Sequence, residues 1–140
     1  MSPILFNIYV DAALAQWRRK CSGMGISVGD RTLYTLHYAD DQVILAQDPE
    51  DLEYMTRKLL EEYKKWGLAV NIKKTKYLCI GGQIQDLQLN SGEKISGCEE
   101  YIYLGTRITQ DGKCEKMIND RIVGARRITE HLTPSYGRKM

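Results

Sequence analysis

Apolar residues crowd the first stretch of the chain. Ile4, Leu5, Phe6, Ile8, Tyr9, Val10, Ala12, Ala13, Leu14 and Trp17 precede a basic Arg18-Arg19-Lys20 run. They cover most of a helical circumference, which predicts an interior helix to about Lys20, packed on more than one side. Ser2 and Pro3 read as an N-cap and first-turn pair. The basic end complements the helix dipole, and Gly23 or Gly25 can end the helix. Ile26-Ser27-Val28 then reads as a short strand pairing with residues around Arg31 across Gly29-Asp30. Residues 31–37 and 42–46 are rich in β-branched and aromatic residues. Both read as strands, with Tyr38-Ala39-Asp40-Asp41 at the tight turn of a hairpin between them.

Pro49 opens a second helix, in which Leu52, Met55, Leu59, Tyr63 and Trp66 form a stripe at spacings of three and four. That stripe fits a helix laid across the back of a sheet, and Gly67 stops it. Val70-Asn71-Ile72 and Tyr77-Leu78-Cys79-Ile80 read as strands around a basic connection, with Gly81-Gly82 as a breaker. Over 87–109, short apolar runs alternate with Asn90-Ser91-Gly92 and Ser96-Gly97, the pattern of a small antiparallel sheet. After Asp111-Gly112, the residues Met117, Ile118, Ile122, Ala125, Ile128 and Leu132 mark a last helix. Pro134 and Arg138-Lys139-Met140 read as a frayed end. The expected fold is of the α/β (α+β) class.

Composition narrows this only a little. A chain of 140 residues, 43% hydrophobic and 27% charged, is long enough for one domain with a real core. Its net charge of +2 does not by itself argue for a nucleic-acid partner. Two basic stretches are more suggestive: Arg57, Lys58, Lys64, Lys65, Lys73, Lys74 and Lys76, then Lys113, Lys116, Arg121, Arg126, Arg127, Arg138 and Lys139. They read either as solvated helix faces or as a binding surface. Cys21, Cys79, Cys98 and Cys114 contain no Cys-x-x-Cys pair, which argues against a zinc site and for free thiols in a reducing compartment. No apolar run approaches the ~18 residues of a membrane span. The expectation is an intracellular protein, not secreted, in cytoplasm or nucleus, with no membrane partner.

Asp40 and Asp41 carry the strongest chemical suggestion. Neighbouring side chains on a regular strand point to opposite faces, so an adjacent pair cannot serve one ion there. At a turn the alternation breaks, and two crowded carboxylates repel unless a cation lies between them. Hard oxygen donors suit Mg²⁺. An Asp pair is also a common solvated turn; the apolar strands on either side favour the metal reading.

With these residues in view, the chain resembles the reverse transcriptases, in particular those of non-LTR (LINE-type) retrotransposons. Ser2-Pro3-Ile4-Leu5-Phe6-Asn7 resembles the tail of the family's motif B, and Tyr38-Ala39-Asp40-Asp41 its motif C. Gly67-Leu68-Ala69-Val70-Asn71 with Lys74-Thr75-Lys76 resembles motif D, and Tyr103-Leu104-Gly105 motif E, the primer grip. The four occur in the family's order. The resemblance implies a partial polymerase palm over residues 1–109, with an antiparallel sheet, the Tyr-Ala-Asp-Asp hairpin and packing helices, and a helix over 110–140 leading toward a thumb-like region.

It also implies roles. Asp40 would be the main ligand of a two-Mg²⁺ site, with Mn²⁺ as a possible substitute, and Asp41 the supporting ligand. Lys74 would lie near the triphosphate and protonate the leaving group, or be a plain surface lysine. Ser2 and Pro3 would lie near the incoming nucleotide, although a helix cap explains them equally well. Tyr103, Leu104 and Gly105 would press on the primer, or be an ordinary strand end. The implied partners are an RNA template, a DNA primer and deoxynucleoside triphosphates; nothing in the sequence speaks to oligomeric state. The family's first catalytic aspartate, in motif A, precedes motif B and has no counterpart here, since Asp11 falls within a helix and Asp111 in a turn. The expectation is a palm fragment without activity by itself, with a bare strand edge and part of the first helix uncovered. A non-catalytic nucleic-acid-binding remnant, an inert relic and a group II intron maturase remain alternatives. Ala39 stands where a viral RNA polymerase usually carries Gly.

Overall fold

In the computed structural model, which describes residues 3–132, an 18-residue helix α1 (Pro3–Lys20) leads into two short hairpins. β1 (Ile26–Val28) pairs antiparallel with β2 (Arg31–Leu33), and β3 (Thr35–Tyr38) with β4 (Asp41–Ile44). Helix α2 (Pro49–Lys65) follows, then β5 (Lys76–Tyr77), β6 (Leu87–Gln88), β7 (Lys94–Gly97), β8 (Glu100–Tyr103), β9 (Thr106–Thr109) and α3 (Glu115–Leu132). This is the expected mixture of helices and small, mainly antiparallel sheets. The expected cap at Ser2 and the frayed end from Pro134 lie outside the described residues, as do the side chains of Pro3, Ile128, His131 and Leu132.

The chain divides into two compact units, Met1–Tyr77 with Gln85–Gly97, and Leu78–Ile84 with Cys98–Met140. The first holds the main core. Val10, Ala13, Leu14 and Trp17 of α1, with Cys21 beyond it, bury against Met55, Leu59 and Tyr63 of α2. The Trp17 indole N–H donates to the Met55 carbonyl at 2.8 Å. Tyr9 meets Trp66 edge-on, ring centroids 4.9 Å apart, and donates its hydroxyl to the Trp66 carbonyl. Glu62, only 4% exposed, accepts from both Lys20 and Lys65.

Helix α2 owes its ends to local chemistry. Asp48, the residue before Pro49, accepts from the Asp51 N–H at 2.8 Å as N-cap, and Pro49 needs no N–H partner at N1. At the other end Gly67 takes φ +70°, Leu68 N–H reaches the Tyr63 carbonyl and Gly67 N–H the Lys64 carbonyl. That is a Schellman closure, and it favours a residue without Cβ.

Several expectations are corrected. The apolar circumference of α1 is covered on one side only: Ile4, Leu5 and Ile8 are 71, 59 and 61% exposed. At about 100° per residue they lie opposite the Val10–Trp17 face, and within this unit α2 covers only the latter. Helix α2 packs mainly on α1, and only secondarily on β4 and β6, rather than across the back of one sheet. Residues 31–37 are not one strand; the ladder breaks at Tyr34, and β2 and β3 take different partners. Val70, Asn71 and Ile72 form no strand, because the Asn71 carbonyl is taken by the N–H groups of Lys74 and Thr75 in a local turn. Of residues 77–80 only Tyr77 is in a strand, β5. The expected 87–109 sheet is split: β6–β7 carries β5 in parallel, while β8–β9 is a separate hairpin in the second unit. Ser96 and Gly97 belong to β7 and break nothing.

In the second unit the Gly81 N–H donates to Gln110 O at 2.7 Å, and Gln110 N–H to Glu99 O at 2.8 Å. Arg107 reaches Glu100 and, at 3.4 Å, Asp120 of α3; Lys116 of α3 donates to Glu100 at 2.8 Å.

Carboxylates in both units are held below their ordinary range. Lys20 and then Lys65 do this for Glu62, Lys58 for Glu61, the Gly97 N–H and Lys94 for Asp86, and Lys116 for Glu100. A carboxyl lowered on folding adds stability that is complete above its unfolded pKa and disappears as pH falls through its folded value. Urea midpoints should therefore be flat near neutrality and fall below about pH 4.5. The Glu62→Gln variant should show a shallower fall than the parent; an identical acid limb would show that the Lys20–Glu62–Lys65 cluster contributes nothing.

Candidate functional site

The hairpin β3–β4 turns through two residues. Tyr38 pairs with Asp41, His37 with Gln42, Leu36 with Val43 and Thr35 with Ile44. Ala39 and Asp40 are therefore the loop, and Asp41 is the first residue of β4. Ala39 has φ +50°, an uncommon position for a residue with a Cβ. Among the described residues Leu104, φ +49°, is its counterpart, and it sits with Gly105, φ +75°, in the two-residue loop between Tyr103 and Thr106 of β8–β9. Positive φ at both loop positions is the hairpin turn that matches strand twist. The non-glycine positive φ values thus fall at the two hairpin tips that the sequence singles out.

Asp40 and Asp41 are both exposed, and among the described residues neither carboxylate takes a hydrogen bond or an ion pair. Asp41 shares a face of the hairpin with Tyr38, Leu36 and Val43; Tyr38 is 66% exposed. The other face carries Thr35, His37, Gln42 and Ile44 and is the one tied to α2. The Tyr63 hydroxyl donates to Gln42 Oε1 at 2.6 Å, Gln42 Nε2 to Thr35 Oγ1 at 3.1 Å, and Thr35 Oγ1 to the Val43 carbonyl at 2.7 Å. Burial pushes the Tyr63 pKa up to about 12, so the hydroxyl stays a donor at neutral pH. At the hairpin base, Tyr34, Ile44 and Ala46 pack on the core.

Lys74 is exposed in the 71–75 turn, its N–H donating to the Asn71 carbonyl and, at 3.2 Å, to Asn71 Oδ1. Its ammonium is left to solvent, beside the exposed Lys73 and Lys76.

Residues 1–108 match the family described as reverse transcriptase (RNA-dependent DNA polymerase). The chain belongs to the reverse transcriptase family. A transposon-derived protein of Caenorhabditis elegans is 32% identical over 85 residues, 58% of this chain and 30% of that protein. The chain thus spans about 30% of the length of that relative. No solved structure matches it.

Reverse transcriptases work with divalent metal ions, and the two carboxylates offer hard oxygen donors at an open, unencumbered tip. Among the described residues no group of three or more His, Cys, Asp and Glu side chains gathers where it could hold an ion. Hard divalent cations are ordinarily held by one or two carboxylates, with water and substrate phosphates completing the shell, and two carboxylates are what this tip supplies.

Part of the first basic stretch is engaged within its own helix, as solvated helix faces commonly are. Arg57 is engaged by Glu53 and Glu61, Lys58 by Glu61, and both cations lie over the Tyr54 ring. Lys65 is engaged by Glu62. Arg121, Arg126 and Arg127 share no face of α3, since offsets of five and six residues spread them about 100–140° apart around the helix.

The chain-internal support of the reverse transcriptase hairpin was not legible as function. Gln42 has one signal, a polar residue directly before the apolar run 43–46, and alternation turns it away from Asp41. Tyr63 reads only as part of an apolar stripe.

Proposed function

We propose that this chain is the palm portion of a non-LTR (LINE-type) retrotransposon reverse transcriptase, with Asp40 and Asp41 as its metal-binding carboxylates. The observation that carries the reading is the unpaired, exposed aspartate pair at a two-residue hairpin tip. The order of the motifs and the transposon-derived relative support it. Asp40, free in the loop, is the main ligand; Asp41, fixed by its pairing with Tyr38, is the supporting one. Bound Mg²⁺ would neutralise charge on triphosphate oxygens. Lys74 is free to meet a phosphate, and Ser2 and Pro3 are assigned to the incoming nucleotide. The tip Tyr103-Leu104-Gly105 is assigned to the primer strand. The longer protein works inside the cell, copying an RNA template from a DNA primer. By itself the chain does not polymerise, because two carboxylates make only part of a two-metal clamp.

Mn²⁺ titration followed by NMR tests the metal assignment. Mn²⁺ should broaden the Asp40 and Asp41 amides first, competed by Mg²⁺, and the effect should disappear in an Asp40→Asn, Asp41→Asn chain. Broadening elsewhere, or equal broadening in the double variant, would sink the assignment. Primer extension by the purified 140-residue chain should not exceed that of an Asp40→Ala, Asp41→Ala control. Extension clearly above the control would show that no further carboxylate is needed.

A further inference from the structure

We propose that Tyr63 is a positioning residue for the aspartate pair: its hydroxyl, acting through Gln42 and Thr35, sets the orientation of the hairpin tip. This rests on the metal-ligand reading of Asp40 and Asp41.

The hairpin has two strands of four residues and, among the described residues, no third strand beside it. Such a unit has little stability of its own and takes its orientation from what it is tied to. Its apolar ties, Tyr34, Ile44 and Ala46, are all at the base. From Ile44 to Asp41 the strand runs about 10 Å. A swing of ~6° about that base would move the tip by about 1 Å, twice the ~0.5 Å within which a working site must be held. Gln42 is one residue from Asp41, and its amide is gripped from both sides. Tyr63 donates to its oxygen and Thr35 accepts from its nitrogen. Because alternate strand residues point oppositely, holding Gln42 toward α2 turns Asp41 away from it, onto the open face. Thr35 closes the chain of bonds onto the Val43 carbonyl, so the strut grips both strands. The Tyr63 ring lies in the α1–α2 core, which makes the far end of the strut rigid.

Tyr63→Phe removes the hydroxyl and keeps the ring. The test uses the full chain and reads two quantities. In the variant, hydrogen exchange at the Leu36, Asp41 and Val43 amides should quicken roughly three- to tenfold, while Leu14 and Leu59 in the core helices keep their slow exchange. Mn²⁺ affinity at Asp40 and Asp41 should fall by a similar factor. Gln42→Leu should reproduce both changes, and the double variant should add little to either. Faster exchange with unchanged Mn²⁺ affinity would overturn the positioning role, because a merely structural bond would do that. Unchanged exchange would overturn the strut itself. If the parent chain takes up no Mn²⁺ at the tip, the metal-ligand reading has failed and the positioning role falls with it, whereas unchanged exchange in a parent that does bind Mn²⁺ overturns the strut alone.

Discussion

Replacing Trp17 by alanine should cost the first unit about 4 kcal/mol, much of the roughly 5–15 kcal/mol that holds a domain of this size together. Trp17 is the largest fully buried side chain of the α1–α2 core, in contact range of Met55 and its neighbours, and its indole N–H is satisfied by the Met55 carbonyl. Its removal leaves a cavity between two helices that are clamped together by Tyr9–Trp66 and Lys20–Glu62, and so are poorly able to collapse into it. Denaturant unfolding followed by far-UV circular dichroism checks this. Trp17→Phe should retain most of the packing and lose about 1–2 kcal/mol, partly through the missing N–H donor. A Trp17→Ala chain with a midpoint near that of the parent would mean that the two helices do not share this core.

Gly97→Ala should be the second most damaging change, about 3 kcal/mol, although it adds a single methyl group. A Cβ at Gly97 would stand 2.2 Å from the Gln85 carbonyl oxygen and 2.8 Å from the carbonyl carbon. Both neighbours are backbone, so no side-chain rotation relieves the clash. The same residue pairs with Tyr77 across β5–β7, and its N–H donates to Asp86 at 2.9 Å. Pushing the Gln85 backbone away therefore disturbs the parallel pairing and the Asp86 contact together. Gly92→Ala offers a contrast: its φ of +91° is strained for alanine but the space is open, so the loss should come from backbone strain alone, about 1 kcal/mol. Equal unfolding midpoints for the Gly97 and Gly92 variants would show that the Gln85 approach is looser than described.

Much of the first unit was legible because its determinants are local. Pro49, the three-and-four stripe and Gly67 mark α2, and the structure uses them as cap, core face and closure. The tip of β3–β4 follows from strand-forming runs on both sides of a two-residue loop. Other elements misread for identifiable reasons. The strand propensity of Val70 and Ile72 lost to Asn71, whose carbonyl and side chain close a turn on Lys74 and Thr75. Residues 31–37 carry uninterrupted strand character, but pairing needs partners, and those differ on the two sides of Tyr34. For charge, the sequence left two readings open, and the structure shows side chains from neighbouring turns neutralising Arg57, Lys58 and Lys65.

Taken by itself, the sequence determined where helices begin and end, where the hairpin tips fall, and that Asp40 and Asp41 share one of them. These are matters of backbone preference and capping within a few residues. The tertiary structure decided which apolar face of α1 is covered, that α2 packs chiefly on α1, and that β7 takes β5 in parallel as well as β6. It also decided that Tyr63 of α2 holds Gln42, the residue next to the aspartate pair. Apart from the β6–β7 pairing, each of those depends on residues 20 or more apart in the chain meeting in space, as Tyr63 and Gln42 do across 21 positions, and no local preference encodes such a meeting.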